Sequence, residues 1–266
     1  MLTVRLTGRS ALVNVMVSAA EKAGRALTRD FGEVEHLQVS RKGLGDFVST
    51  ADHRAEKIII QELTKARPGY SFLLEETGAI EGTDPEHCWI VDPLDGTLNF
   101  LHGIPQFCVS LALKKADEIV AGVIYNPILD ELYWSEKGKG TFLNQRRLRV
   151  SGRRHLDEAL IAIGTPYRQQ ADVGAIDYTS RLAGKVAGMR HFGSAALDLA
   201  YVAAGKFDAS FAIHLKSWDL AAGILMVKES GGYVCDAKGG QDMLNAGSVL
   251  VSNDHLFAPL SKILID

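Results

Sequence analysis

Residues 89–100 read WIVDPLDGTLNF, an apolar run that ends in two acids three residues apart, Asp92 and Asp95. The run Cys88–Val91 has the length and character of a buried strand. Pro93 fixes its own φ and biases Asp92 toward an extended backbone. The first acid is thereby held at the strand tip while the chain curls the second back beside it. Gly96 lets the backbone approach a ligand closely, and Gly96-Thr97 read as the start of a short helical turn with N–H groups aimed outward. Two readings of the stretch stay open. Asp, Pro and Gly all favour turns for local reasons. Alternatively, the acids hold a cation and the amides hold phosphate, because carboxylates crowded in this way repel unless something positive lies between them.

Other acids bear on that choice. Glu75 and Glu76 end a second apolar strand, Tyr70 to Leu74, and Asp219 follows Trp218 at the opening of a helix. Asp219 by itself would be a helix-start residue favoured by the dipole. Three acid sites at element ends read as a cage more than as capping. Strand-end turns are also where sheets flanked by helices place their ligands.

The rest of the chain supplies the frame. Residues 10–30 and 51–66 read as amphipathic helices, the first capped by Ser10 and the second stopped by Pro68-Gly69. Apolar stretches near 106–113, 118–125, 131–135, 138–143 and 147–150 make a meander of antiparallel strands, with turns at Ala116-Asp117 and Asn126-Pro127. Beyond it, strands near 159–163, 190–192, 207–211, 232–235 and 248–252 alternate with helices near 172–187, 194–204, 218–230 and 255–265. The class is α/β (α+β). Residues 1–150 form an N-terminal α+β subdomain with the acid motifs, and residues 151–266 a C-terminal α/β subdomain. Each half needs the other for burial, so together they make one compact unit.

With 266 residues, 47% of them hydrophobic, the chain can bury a large core. A net charge of -3 argues against a nucleic-acid partner. The Lys- and Arg-rich strip 137–154 reads as a charge-protected sheet edge, with an anionic-ligand patch as the other reading. Cys88, Cys108 and Cys235 form no CxxC pair and read as buried free thiols, which suits a reducing cytoplasm. The apolar run Ala11–Ala20 is interrupted by Asn14 and continues a helical pattern to Leu27, so it reads as a first helix rather than a signal peptide. Nothing approaches the ~18 apolar residues of a membrane span.

At this point the motifs resemble those of the inositol monophosphatase superfamily, in order and over nearly the whole chain. LLEET (73–77) is similar to the family's first acidic motif, WIVDPLDGTLNF (89–100) to its signature, and WDLAAG (218–223) to its C-terminal motif. DFVSTAD (46–52) and GSAA (193–196) resemble two further segments. The resemblance implies a layered α-β-α-β-α sandwich of the inositol monophosphatase/fructose-1,6-bisphosphatase type and a lithium-sensitive, Mg²⁺-dependent phosphatase. It places a first Mg²⁺ on Glu75, Asp92 and the Leu94 carbonyl, and a second on Asp92, Asp95 and Asp219. A third, mostly hydrated ion would be reached from Glu75, and Mn²⁺ is an acceptable substitute. Thr97, hydrogen-bonded to Asp52, would orient the attacking water with help from Glu75. The Gly96 and Thr97 N–H groups would hold phosphate, and Asp95 with Gly193, Ser194 and Ala195 would bind the polyol. The chemistry is consistent: one cation lowers the pKa of the attacking water, a second stabilises the leaving alkoxide, and positioning does most of the rest.

The resemblance also implies a cytoplasmic homodimer acting on a small phosphorylated substrate, inositol 1-phosphate first. Fructose 1,6-bisphosphate, histidinol phosphate and 3′-phosphoadenosine 5′-phosphate are alternatives. A reading of another class is a non-catalytic scaffold binding nucleic acid or protein. This chain departs from the family at Ala212, where the family carries a substrate-contacting glutamate. His214 and Lys216 read as loop residues or substrate neighbours, Arg41 and Lys42 as phosphate-loop or surface charges, and His102 as ambiguous. Asp198 reads as a structural helix acid, with a ligand role as the other reading.

Overall fold

The computed structural model describes residues 8–33, 39–43, 46–164 and 178–265. Helix α1 (Ala11–Phe31) begins where Ser10 stays extended and its hydroxyl oxygen accepts the Val13 N–H at 3.2 Å. A hairpin of β1 (Val39–Gly43) and β2 (Asp46–Ser49) leads directly into α2 (Thr50–Ala66). Ser49 caps α2, and the third helical residue, Asp52, reaches back to accept the Ser49 N–H at 2.8 Å and the Ser49 hydroxyl at 2.7 Å. That reciprocal cap fixes the Asp52 side chain before any ligand is considered.

The next segment builds a sheet from β3 (Ser71–Leu74), β4 (Gly78–Ile80), β5 (His87–Asp95), β6 (Cys108–Lys115), β7 (Glu118–Asn126), β8 (Glu131–Glu136), β9 (Gly140–Leu143) and β10 (Arg146–Arg147). The order is β10-β9-β8-β7-β6-β5-β3-β4, and only β3 and β5 run parallel. The predicted meander is thus present from β6 onward. A short helix, α3 (Thr97–Leu101), leaves the end of β5.

The remaining elements are β11 (Leu160–Gly164), α4 (Tyr178–Leu182), β12 (Gly188–Arg190), α5 (Ala195–Ala203), β13 (Ala209–Ile213), α6 (Ser217–Glu229), β14 (Tyr233–Cys235), α7 (Met243–Ala246), β15 (Ser248–Ser252) and α8 (Asp254–Leu264). Their five strands form a second sheet of order β12-β11-β13-β15-β14. Residues 172–177 of the helix read over 172–187 lie outside the described residues; of the rest only α4 is helical, and 183–187 are turn and bend. The strand read near 190–192 is β12, two residues earlier, and β13 extends two residues past the strand read at 207–211.

Three apolar cores set the layers. Val13, Met16 and Leu27 of α1, with Ile59 and Leu63 of α2, cover one face of the eight-stranded sheet around Trp89 and Leu111. The other face, at Ile90, Ala112 and Ile124, meets Leu199 of α5 and Leu220 and Met226 of α6, and those helices meet Ala212, Val249 and Val251 of the second sheet. The far face of that sheet, at Phe211 and Leu250, is covered by Leu182 of α4 and by Leu256 and Leu260 of α8. The stack is α-β-α-β-α, as anticipated. Helix α6 is buried without a break from Leu220 to Val227, as a middle-layer helix must be. No helix is long and apolar enough to cross a membrane among the described residues.

The middle layer depends on glycine for close approach. A Cβ at Gly223 would lie 2.5 Å from the Cβ of Leu199, across the α5–α6 contact. Leu199 Cβ is tied to the backbone and cannot swing away. Gly223→Ala should therefore lose about 1–3 kcal/mol to overpacking, more than the ~1 kcal/mol that alanine gains as a helix former. Thermal unfolding should record a lower Tm, and an unchanged or higher Tm would contradict this account of the interface.

Candidate active site

Strand side chains alternate faces, so residues three apart should point in opposite directions. Asp92 and Asp95 do not, because β5 carries an extra residue between them. Asp92 pairs with Ser110 and Asp95 with Cys108, three steps on β5 against two on β6. This β-bulge, at Pro93-Leu94, brings both acids to one side. The sequence reading ended the strand at Val91; the strand instead runs through the bulge to Asp95. Asp92 Oδ1 accepts the Leu94 N–H at 2.9 Å, which fixes its rotamer.

Gly96 follows with φ +94°, and a Cβ there would lie 2.9 Å from the Gln106 carbonyl oxygen. Only glycine fits both the left-handed backbone and that approach. The chain then enters α3, where the first-turn N–H groups lack helical acceptors. Thr97 Oγ1 stands 3.1 Å from Asp52 Oδ1 and 3.0 Å from the Leu94 carbonyl oxygen. With one proton and two acceptors, that hydroxyl donates to one at a time. Asn99 Nδ2 donates to the Gln106 and Phe192 carbonyls, both at 2.7 Å, and so ties α3 to the Gly193 segment.

The other acids arrive from three elements. The Glu75 N–H donates to the Val91 carbonyl at 3.2 Å, which holds the end of β3 beside β5. The turn that carries Glu75 is fastened by Glu56, one helical turn after Asp52 on α2. Its buried carboxylate accepts the Glu76 N–H at 3.0 Å, the Thr77 N–H at 3.4 Å and the Thr77 hydroxyl. Asp219 lies in the first turn of α6, where its carboxylate accepts the Lys216 N–H at 2.7 Å. Asp95 Oδ2 accepts the Ser194 hydroxyl at 2.5 Å and the Ala196 N–H at 2.8 Å, which binds the N-terminus of α5 to the bulge.

Ligand oxygens of Asp92, Asp95 and Asp219 all fall within 4.8 Å of one another. Burial, and then the charges of Glu75, Asp95 and Asp219, hold the Asp92 carboxyl well above the usual carboxylate range. Burial and Asp95 raise Asp219 in the same way. Asp95 is also raised by burial, although the Ser194 hydroxyl and the Ala196 N–H pull it back. Burial raises Asp52 against its bonds to Ser49 and Thr97. Carboxylates crowded out of water are costly unless a cation compensates them. A donor set made wholly of oxygen fits a hard divalent ion.

Glu75, Asp92, Leu94, Asp95, Gly96, Thr97, Gly193, Ser194, Ala195 and Asp219 all line a single cavity of ≈ 530 Å³. Asp52 stands behind Thr97 rather than in the wall. Ala212, His214 and Lys216 line the cavity, and His214 adopts φ +60°. His102 is exposed and is not among the lining residues. The side chains of Arg41 and Lys42 lie outside the described residues. Within the basic strip, Lys137 pairs with Glu118, Lys139 with Glu136 at 2.8 Å and Arg153 with Asp208 at 3.1 Å. Cys108 and Cys235 are buried and Cys88 half-buried, all as free thiols. The sequence reading missed Glu56 and Asn99; for Glu56 the available signal was its place four residues after Asp52 on one helix face.

An oxygen cage at a strand bulge, beside a glycine-led helix start, is a layout suited to metal-assisted hydrolysis of a phosphate ester. Residues 9–264 match the model of the inositol monophosphatase family, and the chain belongs to that family. It is 58% identical to the inositol-1-monophosphatase of Mesorhizobium japonicum over 96% of both chains. It is 54% identical to that of Rhizobium meliloti over 96% of this chain and 97% of the relative. The crystal structure of the extragenic suppressor protein suhB from Bartonella henselae superposes with a TM-score of 0.92 at 53% identity, covering 96% of this chain and 98% of that one.

Proposed function

We propose that this protein is a Mg²⁺-dependent phosphomonoesterase that hydrolyses inositol 1-phosphate to inositol and inorganic phosphate. The observation that carries this reading is the meeting of Asp92, Asp95 and Asp219 oxygens in the cavity that Gly96 and Thr97 also line. Glu75, Asp92, the Leu94 carbonyl, Asp95 and Asp219 would hold two to three Mg²⁺ ions, with Mn²⁺ able to replace them. When bound, these ions supply Lewis-acid stabilisation of the charge that develops on phosphate and leaving oxygen.

The remaining work falls to the chain. Gly96 and Thr97 N–H groups receive phosphate oxygens. When Thr97 Oγ1 donates to Asp52 Oδ1, its lone pair is free to accept a hydrogen bond from the incoming water and aim that water's oxygen at phosphorus. Glu75 assists from the opposite motif. Displacement is in line, and no covalent phosphoenzyme is needed. Asp219 comes from residues 151–266 and the other acids from residues 1–150, so the two parts work as one catalytic unit. The reading includes lithium inhibition, a homodimer and a cytoplasmic location.

Phosphate release should be measured on inositol 1-phosphate, fructose 1,6-bisphosphate, histidinol phosphate and 3′-phosphoadenosine 5′-phosphate, with and without Mg²⁺ and Li⁺. The expected result is Mg²⁺-dependent, Li⁺-inhibited release, fastest from inositol 1-phosphate. No release from any ester at any Mg²⁺ concentration would sink the reading and leave a non-catalytic scaffold in its place.

A further inference from the structure

Asp198 is 5% exposed, and its Oδ1 has no hydrogen-bond partner. Such an orphan costs on the order of 1–3 kcal/mol. Three other buried side-chain atoms share that condition among the described residues: Trp89 Nε1, Glu136 Oε2 and Asp208 Oδ1. Glu136 and Asp208 each use the other oxygen in an ion pair, and none of the three residues lines the active-site cavity. Asp198 does line it. On α5 it follows Ser194 by four residues and Ala195 by three, so it lies on the helix face beneath the segment that grips Asp95.

A cation does not account for the orphan. The oxygens that cluster within metal reach belong to Asp92, Asp95 and Asp219. The cavity also carries Asn99, His191, Ser210, His214 and Lys216, yet none of them is bonded to Asp198 Oδ1. Ser210 and Ala212 stand on one face of β13 and line the cavity, and Ala212 contributes only a methyl group. What remains is a buried acceptor on the wall of a site built for a phosphorylated small molecule. The hydroxyl donors of a polyol are its chemical complement.

We propose that Asp198 accepts a ring hydroxyl of the substrate and sets the preference of this site for polyol phosphates, a role that Ala212 cannot fill. This rests on the phosphatase reading above. Burial, and then the Asp95 charge, push the Asp198 carboxyl well above the usual range. Burial thus opposes the carboxyl's charge, and hydroxyl donors from a polyol would relieve that opposition.

The test compares inositol 1-phosphate with cyclohexyl phosphate, the same ring without its free hydroxyls. In Asp198→Ala, kcat/KM for inositol 1-phosphate should fall roughly ten- to hundredfold more than that for cyclohexyl phosphate. Asp198→Asn keeps an acceptor oxygen and should recover most of the difference. Both variants should melt no lower than the unaltered protein, since an unpartnered buried acid is removed. An equal fall for the two esters, no fall for either, or a lower Tm in both variants would overturn the proposal by making Asp198 a structural acid. If the unaltered protein hydrolyses neither ester, the phosphatase reading fails and this inference fails with it.

Discussion

Asp92→Asn should lower Mg²⁺-dependent phosphate release by at least about 10³-fold while raising the Tm of the metal-free protein. Asp92 is 1% exposed and stands among Glu75, Asp95 and Asp219. Asparagine has the same shape and keeps an oxygen to accept the Leu94 N–H, so the bulge should survive. It removes one charge from the cage. A cation held by one fewer carboxylate loses several kcal/mol of its grip on the reaction, and each ~1.4 kcal/mol is tenfold in rate. Without metal the same change removes a carboxyl whose charged form the fold opposes, and so stabilises it. Phosphate release and thermal unfolding, each with and without Mg²⁺, read both arms. Mg²⁺ should raise the Tm of the unaltered protein and barely move that of the variant. Full activity in the variant would remove Asp92 from the metal site. Lost activity with a lower metal-free Tm would mean that the bulge had collapsed.

The acids were legible in the sequence because Glu75 and the Asp92–Asp95 pair end apolar runs and Asp219 opens a helix, so carboxylates gather at element ends. Their convergence was less legible. Asp92 and Asp95 face the same way only because Ser110 and Cys108 oppose them two residues apart on β6. That is a pairing between strands, which no local pattern records. The layer order followed from the alternation of helices and strands, since each apolar face needs a partner. The β1–β2 pair escaped because VSRKG has no apolar alternation and draws its antiparallel pairing from DFVS. Glu56 escaped for a different reason. It lies on the apolar face of an amphipathic helix between Ala55 and Ile59, where a lone acid resembles noise until its three donors from Glu76 and Thr77 are seen. Asp198 looked like an ordinary helix acid, and only its burial without a partner separates it from one.

Helix α2 carries Asp52 and Glu56 on the same side, one turn apart. Asp52 holds Thr97, and Glu56 holds the turn that presents Glu75. A single helix thus sets the spacing between Thr97 and Glu75, the two groups proposed to position the water. The reciprocal cap at Ser49 fixes the origin of that spacing. Local capping chemistry is in this way continuous with the geometry of the site.

Chelated protein should lose stability as pH rises above the ordinary aspartate range, the reverse of ordinary acid denaturation. Folding raises the carboxyls of Asp92, Asp95 and Asp219. In the unfolded chain an aspartate titrates near 3.9. Below that value both states hold their protons, and the contribution of these groups to stability is complete. Above it the unfolded chain releases protons that the folded cage retains, so stability falls until the pH passes the raised folded values. Each tenfold rise in proton affinity costs about 1.4 kcal/mol, or roughly 3–5 °C in Tm for a chain of this size. Because the three acids titrate as a set, the decline belongs to the cage as a whole rather than to any one of them. Mg²⁺ binds the deprotonated acids, so its addition should restore most at the high end of that range and least at the low end, flattening or inverting the slope. Asp92→Asn should flatten the chelated slope as well, since it removes one of the raised carboxyls. Thermal unfolding across this range, with chelator and then with excess Mg²⁺, decides the matter. A Tm that holds steady or climbs with pH in chelator would mean that the cage carries its charge without a cation, and the metal site would then have to be placed elsewhere.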